Sequence, residues 1–178
     1  MSKRISTMLA GAAAVIVIAA AGLAAVWWTG GYNVAADEAH SRPVASALTS
    51  MRERSVSARA RRIAVPDLES PQMVALGAKQ YREMCASCHL APGIENTELR
   101  RGLNPRPPDL ARHGVHDPAE SFWIVKYGIK MSGMPAWGLT HDDQTLWAIV
   151  AFMQRMPKLS AKQFDELSSD GAFHHDAN

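Results

Sequence analysis

Two thiols and an imidazole stand together in Cys85-Ala-Ser-Cys88-His89, and these are the only cysteines among the 178 residues of the chain. Thiols at this spacing can add across the two vinyl groups of a porphyrin while the adjacent imidazole reaches the iron, which is how a polypeptide captures a c-type haem. No other thiol is left to make a disulfide or a thiolate zinc site. A redox dithiol of the thioredoxin kind belongs at the start of a helix after a buried strand. The residues before Cys85, from Pro71 to Met84, have helical spacing instead. A structural zinc site needs four closed ligands, and the other histidines, at 40, 113, 116, 141, 174 and 175, offer only His113 with His116 as a spaced pair.

A low-spin haem iron needs a second axial ligand, and Gly128-Ile-Lys-Met-Ser-Gly-Met-Pro-Ala-Trp-Gly138 contains two thioethers. Met134 lies between Gly133, which permits a tight turn, and Pro135, which restricts the backbone before it. Such a loop can present a thioether to a metal without reorganising. Met131 is the rival, and would enter the pocket one turn earlier. Other methionines, such as Met73, Met84, Met153 and Met156, read as core filler.

A helix, the C-x-x-C-H motif, a proline-rich loop, a methionine loop and a final helix follow one another between about Pro71 and Pro157. In that order they resemble a class I c-type cytochrome, and in particular bacterial membrane-anchored monohaem cytochromes with a Gly-Met-Pro-Ala-Trp/Phe loop. The resemblance implies an all-α fold around one covalent haem c. It makes Cys85 and Cys88 the attachment points, His89 the proximal ligand and Met134 the distal one, with no catalytic residue. It also implies that the carbonyl of Pro107 or Pro108 accepts a hydrogen bond from the His89 ring.

These residues need elements to hold them. Ser70 with Pro71 forms an N-cap and first-turn pair for the helix that runs into the motif. Asp117-Pro118-Ala-Glu120 repeats that signal for a helix carrying Phe122, Trp123 and Val125. Thr140 or His141, followed by Asp142-Asp143, opens the last long helix, whose apolar stripe is Leu146, Trp147, Val150, Ala151 and Met153 and which Pro157 ends. Gly77 and Tyr81 are expected to meet Trp147 and Ala151 where the first and last helices cross. No segment alternates as a strand does. Large aliphatic residues are few, so the apoprotein is expected to fold poorly.

Ahead of this domain, an apolar run from Met8 to Trp28 is long enough to cross a bilayer as a helix. Lys3 and Arg4 precede it and no lysine or arginine follows until Arg42, which places the N-terminus in the cytoplasm. Val34-Ala35-Ala36 has the form a signal peptidase accepts, but the long apolar run and the aromatic belt of Trp27, Trp28 and Tyr32 favour a retained anchor. The expected organisation is an anchor over residues 1–36, a periplasmic connector over 37–70, the haem domain over 71–158 and a partly disordered extension over 159–178, where His174 and His175 lie. In the connector, Val44, Leu48, Met51, Val56, Ala60 and Ile63 recur at three-to-five-residue intervals with Arg52, Arg54, Arg59, Arg61 and Arg62 at other positions, which suggests an amphipathic helix with a basic face that lies on anionic headgroups, docks against a partner subunit or simply leads, solvated, to the domain.

With both axial positions filled, the iron favours one-electron exchange, and Met/His ligation raises its potential. The expected function is electron transfer between a quinol- or substrate-oxidising enzyme and a terminal acceptor. The haem domain would sit on the periplasmic side of a bacterial inner membrane, swinging on residues 37–70 and touching redox partner proteins but no nucleic acid. A fixed subunit of a membrane oxidoreductase complex is the alternative, and a haem sensor or peroxidase a third reading. Net charge is +2 for the chain, and acidic and basic side chains balance beyond Trp28. Arg100 and Arg101 with Arg106, and Lys126 with Lys130 near the methionine loop, read as ordinary solvated charge or, in the alternative, as local basic clusters.

Overall fold

The computed structural model describes residues 3–169 and is helical throughout, with one isolated bridge between Ala91 and Ile94. Two compact units divide the chain, one ending at Glu38 and the other beginning at Ala39.

The first unit is a single helix, α1 (Lys3–Thr29). Its stretch Arg4–Thr29 is long and apolar enough to cross a membrane, and its side chains from Arg4 onward are exposed. At 1.5 Å per residue those 26 residues span about 39 Å, against a hydrocarbon layer of about 30 Å.

The second unit begins with α2 (Arg42–Ala60) and builds its core on α3 (Pro71–Met84) and α8 (Asp143–Arg155). Ser70 caps α3 by accepting the backbone N–H of Met73 at 3.4 Å, with Pro71 in the first turn as expected. α3 and α8 make the most extensive contact in the molecule. Gly77 allows it, because a Cβ there would lie 1.8 Å from the carbonyl oxygen of Ala148 and 2.9 Å from the Cβ of Phe152. The crossing therefore centres on Ala148 and Phe152, beside the Trp147 and Ala151 expected from the sequence. α8 is wrapped nearly all round: every residue from Leu146 to Met153 is buried. Its cap is Asp142, whose carboxylate accepts the Thr145 N–H at 2.8 Å, one or two residues later than the predicted Thr140 or His141.

Short helices connect these two: α4 (Ala86–His89), α5 (Glu98–Gly102), α6 (Leu110–His113) and α7 (Pro118–Tyr127). Asp117 caps α7 through the N–H of Glu120 at 3.0 Å. α7 meets α8 through Phe122 and Trp147, whose rings stack with centroids 4.0 Å apart.

The described part of the expected C-terminal extension is helical: α9 (Ala161–Ser168) packs on α3, opened by a capping box between Ser160 and Gln163. Phe164 is fully buried against Phe152 at 5.8 Å between centroids, and the Arg82 guanidinium lies over its ring at 4.4 Å. His174 and His175 lie outside the described residues. The apolar residues of α2 do not all face the same way. Val56 and Ala60 are buried where α2 packs on α7, while Val44, Leu48 and Met51 are exposed.

Candidate functional site

The end of α3 delivers Cys85 into a sharp change of direction. Cys85 closes α3 with its N–H on the Tyr81 carbonyl at 2.9 Å, and α4 then carries Ala86 to His89 through a single turn. One turn sets Cys85, Cys88 and His89 on one short scaffold. The turn is stopped by Leu90, whose φ of 64° with ψ of 172° lies in a region that L side chains rarely occupy. Such a backbone persists only when its surroundings hold it, and the fully buried Tyr81 hydroxyl donates to the Leu90 carbonyl at 2.7 Å. Burial raises the Tyr81 hydroxyl's pKa far above the ordinary range, with the nearby Cys85 and Asp109 acting in the same direction. It stays a protonated donor.

Both thiols are free, Cys85 buried and Cys88 half-buried. Burial, helped by the neighbouring Cys88, pushes the Cys85 thiol up to about 12. The His89 ring is fixed by its Nδ1, which lies 3.1 Å from the Pro108 carbonyl. A carbonyl can only accept, so Nδ1 carries the proton and Nε2 keeps its lone pair, the tautomer a metal ligand requires. Burial holds the His89 pKa below its ordinary value; the Pro108 hydrogen bond opposes this, and the Arg100 charge adds to it. Of the two prolines, Pro108 makes this contact. Asp109, next in the chain, caps α6 through the Arg112 N–H at 3.0 Å, which anchors the proline segment beneath the ring.

The methionine loop closes on itself. The Ile129 N–H donates to the Met134 carbonyl at 3.2 Å, the Ser132 hydroxyl donates to the Ile129 carbonyl at 2.8 Å, and the Met134 N–H donates to that hydroxyl at 3.2 Å. Gly128, with φ of 65°, backs the loop so closely that a Cβ would sit 2.7 Å from the Pro135 carbonyl carbon and 2.8 Å from the Met134 oxygen. Met134 is half-buried and packs against the main core cluster, whereas Met131 is wholly exposed at 101% and has a positive φ of 56°. The loop thus turns one thioether inward and the other to solvent.

Residues 72–153 match the family model described as cytochrome c oxidase, cbb3-type, subunit III. The match, which covers 82 of the 178 residues, is consistent with a class I c-type cytochrome domain. Comparison with curated proteins gives no match, and comparison with solved structures gives none either. A c-type cytochrome domain implies a haem c cofactor and haem-based electron transfer.

The residues present fit such a group. Two unpaired thiols lie within one turn of an imidazole whose Nε2 is free, and among the described residues no set of three or more His, Cys, Asp or Glu side chains is grouped to hold a metal ion. Arg100 adds a signal the sequence reading missed by grouping it with Arg101 and Arg106. Its Nη1 donates to Asn96 Oδ1 at 3.2 Å, but its Nε is buried with no hydrogen-bond partner. A buried donor left unpaired is costly. The two carboxylates on a haem's edge are acceptors of the right charge. Lys126 also differs from expectation: its ammonium is bound by both Asp143 oxygens, at 2.6 and 2.8 Å, which raises its pKa and removes it from any free cluster with Lys130.

Proposed function

We propose that this protein is a membrane-tethered, one-electron carrier with a single covalent haem c held by Cys85 and Cys88 and ligated by His89 and Met134. The observation that carries the reading is the His89 ring, tied through Nδ1 to Pro108 in the same turn as two free thiols. Each residue has a task. Cys85 and Cys88 would bind the porphyrin edge through thioethers, and α4 would hold both at the spacing of one helical turn. Pro108 orients His89 and strengthens its Nε2 as a donor. The hydrogen-bonded loop from Ile129 to Met134 keeps the inward thioether in place, and Met131 faces away. A haem iron with both axial positions filled supplies one-electron exchange at a raised potential.

The apolar α1 supports tethering, and Lys3 and Arg4 ahead of it support a cytoplasmic N-terminus with the haem domain on the periplasmic side of a bacterial inner membrane. Redox partner proteins of a respiratory or dehydrogenase chain would exchange the electron. A second reading, a fixed subunit of an oxidoreductase complex, draws on the packing of α2 against α7, which holds the C-terminal end of the connector helix to the domain.

Purification in mild detergent, followed by a reduced-minus-oxidised spectrum and a redox titration, tests the first reading. One haem that survives denaturation, a thioether band in the far red and one Nernstian step are expected. Constant co-purification with a catalytic subunit would replace the free carrier by the subunit. Ready carbon monoxide binding by the untreated reduced protein would remove Met134 as a ligand.

A further inference from the structure

α2 has two apolar faces, and the molecule itself covers only one of them. Val56 and Ala60, one turn apart, are buried against α7. At 100° per residue, Val44, Leu48 and Met51 fall together on the roughly opposite side, joined by Ala47 and Ala58. All five are exposed, Leu48 at 43% and Met51 at 63%. The same projection sets Arg52 and Arg59 along one border of this stripe and Arg54 and Arg61 along the other.

A narrow, mostly apolar stripe, interrupted by Ser55 and bordered on both sides by arginines, has the chemistry of a helix lying in a membrane interface. The apolar side chains enter the boundary between headgroups and acyl chains, and the long cationic ones bend up to the phosphates. Charge decides among the occupants. Residues 41–62 hold six arginines, at 42, 52, 54, 59, 61 and 62, against Glu53 alone. Glu53 answers only weakly, 3.7 Å from Arg52, and Arg59 is engaged by the Ser55 carbonyl and hydroxyl at 2.9 and 2.8 Å. A second copy of the chain would bring the same positive borders together, which costs free energy. An anionic bilayer complements them. Chain connectivity acts in the same direction, since residues 30–41 separate α1 from α2 and reach about 40 Å at most. For a chain held by α1 the lipid surface is thus always at high effective concentration, and a weak contact suffices.

We propose that the outward face of α2 lies on the anionic surface of the bilayer that α1 spans, with Val44, Leu48 and Met51 in the interface and Arg52, Arg54, Arg59 and Arg61 on lipid phosphates. The proposal rests on α1 being the anchor. Through the α2–α7 contact, the lipid surface then fixes which way the haem domain faces. A carrier built so presents one side to its partners and does not tumble on a string.

The test uses full-length holoprotein carrying a nitroxide label on Ala47→Cys, in the stripe, or on Thr49→Cys, on the opposite side. Each is reconstituted into phosphatidylcholine vesicles with and without phosphatidylglycerol. Collision of the label with an aqueous nickel chelate is read by electron paramagnetic resonance. With phosphatidylglycerol, position 47 is expected to lose most of its accessibility while position 49 keeps it. Replacing Arg52, Arg54, Arg59 and Arg61 together by Gln is expected to restore access at 47, with an unchanged haem spectrum showing that the domain is intact. Vesicle flotation reads the anchor separately. Flotation with position 47 as open as 49 overturns the α2 proposal and leaves the anchor standing, whereas failure to float overturns both. Dipolar broadening between labels at 47 in either lipid would assign the face to a second copy. Protection that neither needs phosphatidylglycerol nor responds to the arginine replacements would overturn the lipid-charge basis.

Discussion

At the scale of single residues, the two methionines of one loop carry the sharpest contrast. Met134 packs inward and Met131 is wholly exposed, although both lie in the same seven-residue turn. Met134→Ala is expected to keep covalent haem, lower the reduction potential and admit carbon monoxide to the reduced protein. Met131→Ala is expected to leave both readings unchanged. A redox titration and a carbon monoxide difference spectrum decide between them, and the opposite pattern would transfer the ligand to Met131. Cys85→Ala or Cys88→Ala should sharply reduce the haem retained on a denaturing gel, since each removes one of the two bonds proposed to hold it. The thiols and imidazole were legible in the sequence because their spacing is itself the chemistry. The burial of the Arg100 Nε was not, because a guanidinium between charged neighbours reads as solvated until the fold encloses it.

At the scale of elements, caps explain most of what the sequence foretold. Ser70 with Pro71 and Asp117 with Pro118 start their helices as predicted, since each side-chain oxygen answers an N–H that has no partner inside the helix. α9 escaped despite the same kind of signal, Ser160 three residues before Gln163, because its eight residues carry an apolar stripe of only two large side chains, Phe164 and Leu167, in a polar segment. Phe164→Ala is expected to cost about 3–5 kcal/mol and Ser160→Ala about 1 kcal/mol, read by denaturant unfolding of the holoprotein. Gly77→Val should prevent the α3–α8 crossing altogether, since its first carbon already overlaps the Ala148 carbonyl. Asp142 supplies a pH signature. The Thr145 N–H stabilises its charged form and holds its pKa below the ordinary carboxylate range, so the cap's contribution is complete above about pH 4 and is lost as pH falls through the lowered pKa. The stability gap between the parent and Asp142→Ala should therefore narrow in acid. An unchanged gap down to the lowest pH would mean that the carboxylate charge adds nothing to the cap.

At the scale of the molecule, the core is completed from distant parts of the chain. Tyr81 of α3, Phe152 of α8 and Phe164 of α9 form a row of rings, with Arg82 reaching from α3 to Asp165 and Ser168 beyond it. Arg155 likewise pairs with Glu69 at the start of the domain. Expression without haem attachment is expected to give a chain with reduced helical circular dichroism and rapid proteolysis; a fully protected apoprotein would show that this protein core suffices alone. The burial of Cys85 has a consequence for the order of biogenesis. Cys85 is buried in the closed domain, so an attachment enzyme approaching the finished fold would find one of the two proposed target thiols covered. On the proposed haem reading, the bond to Cys85 is expected to form while the chain is still open, and the weak folding expected of the haem-free chain keeps that interval long.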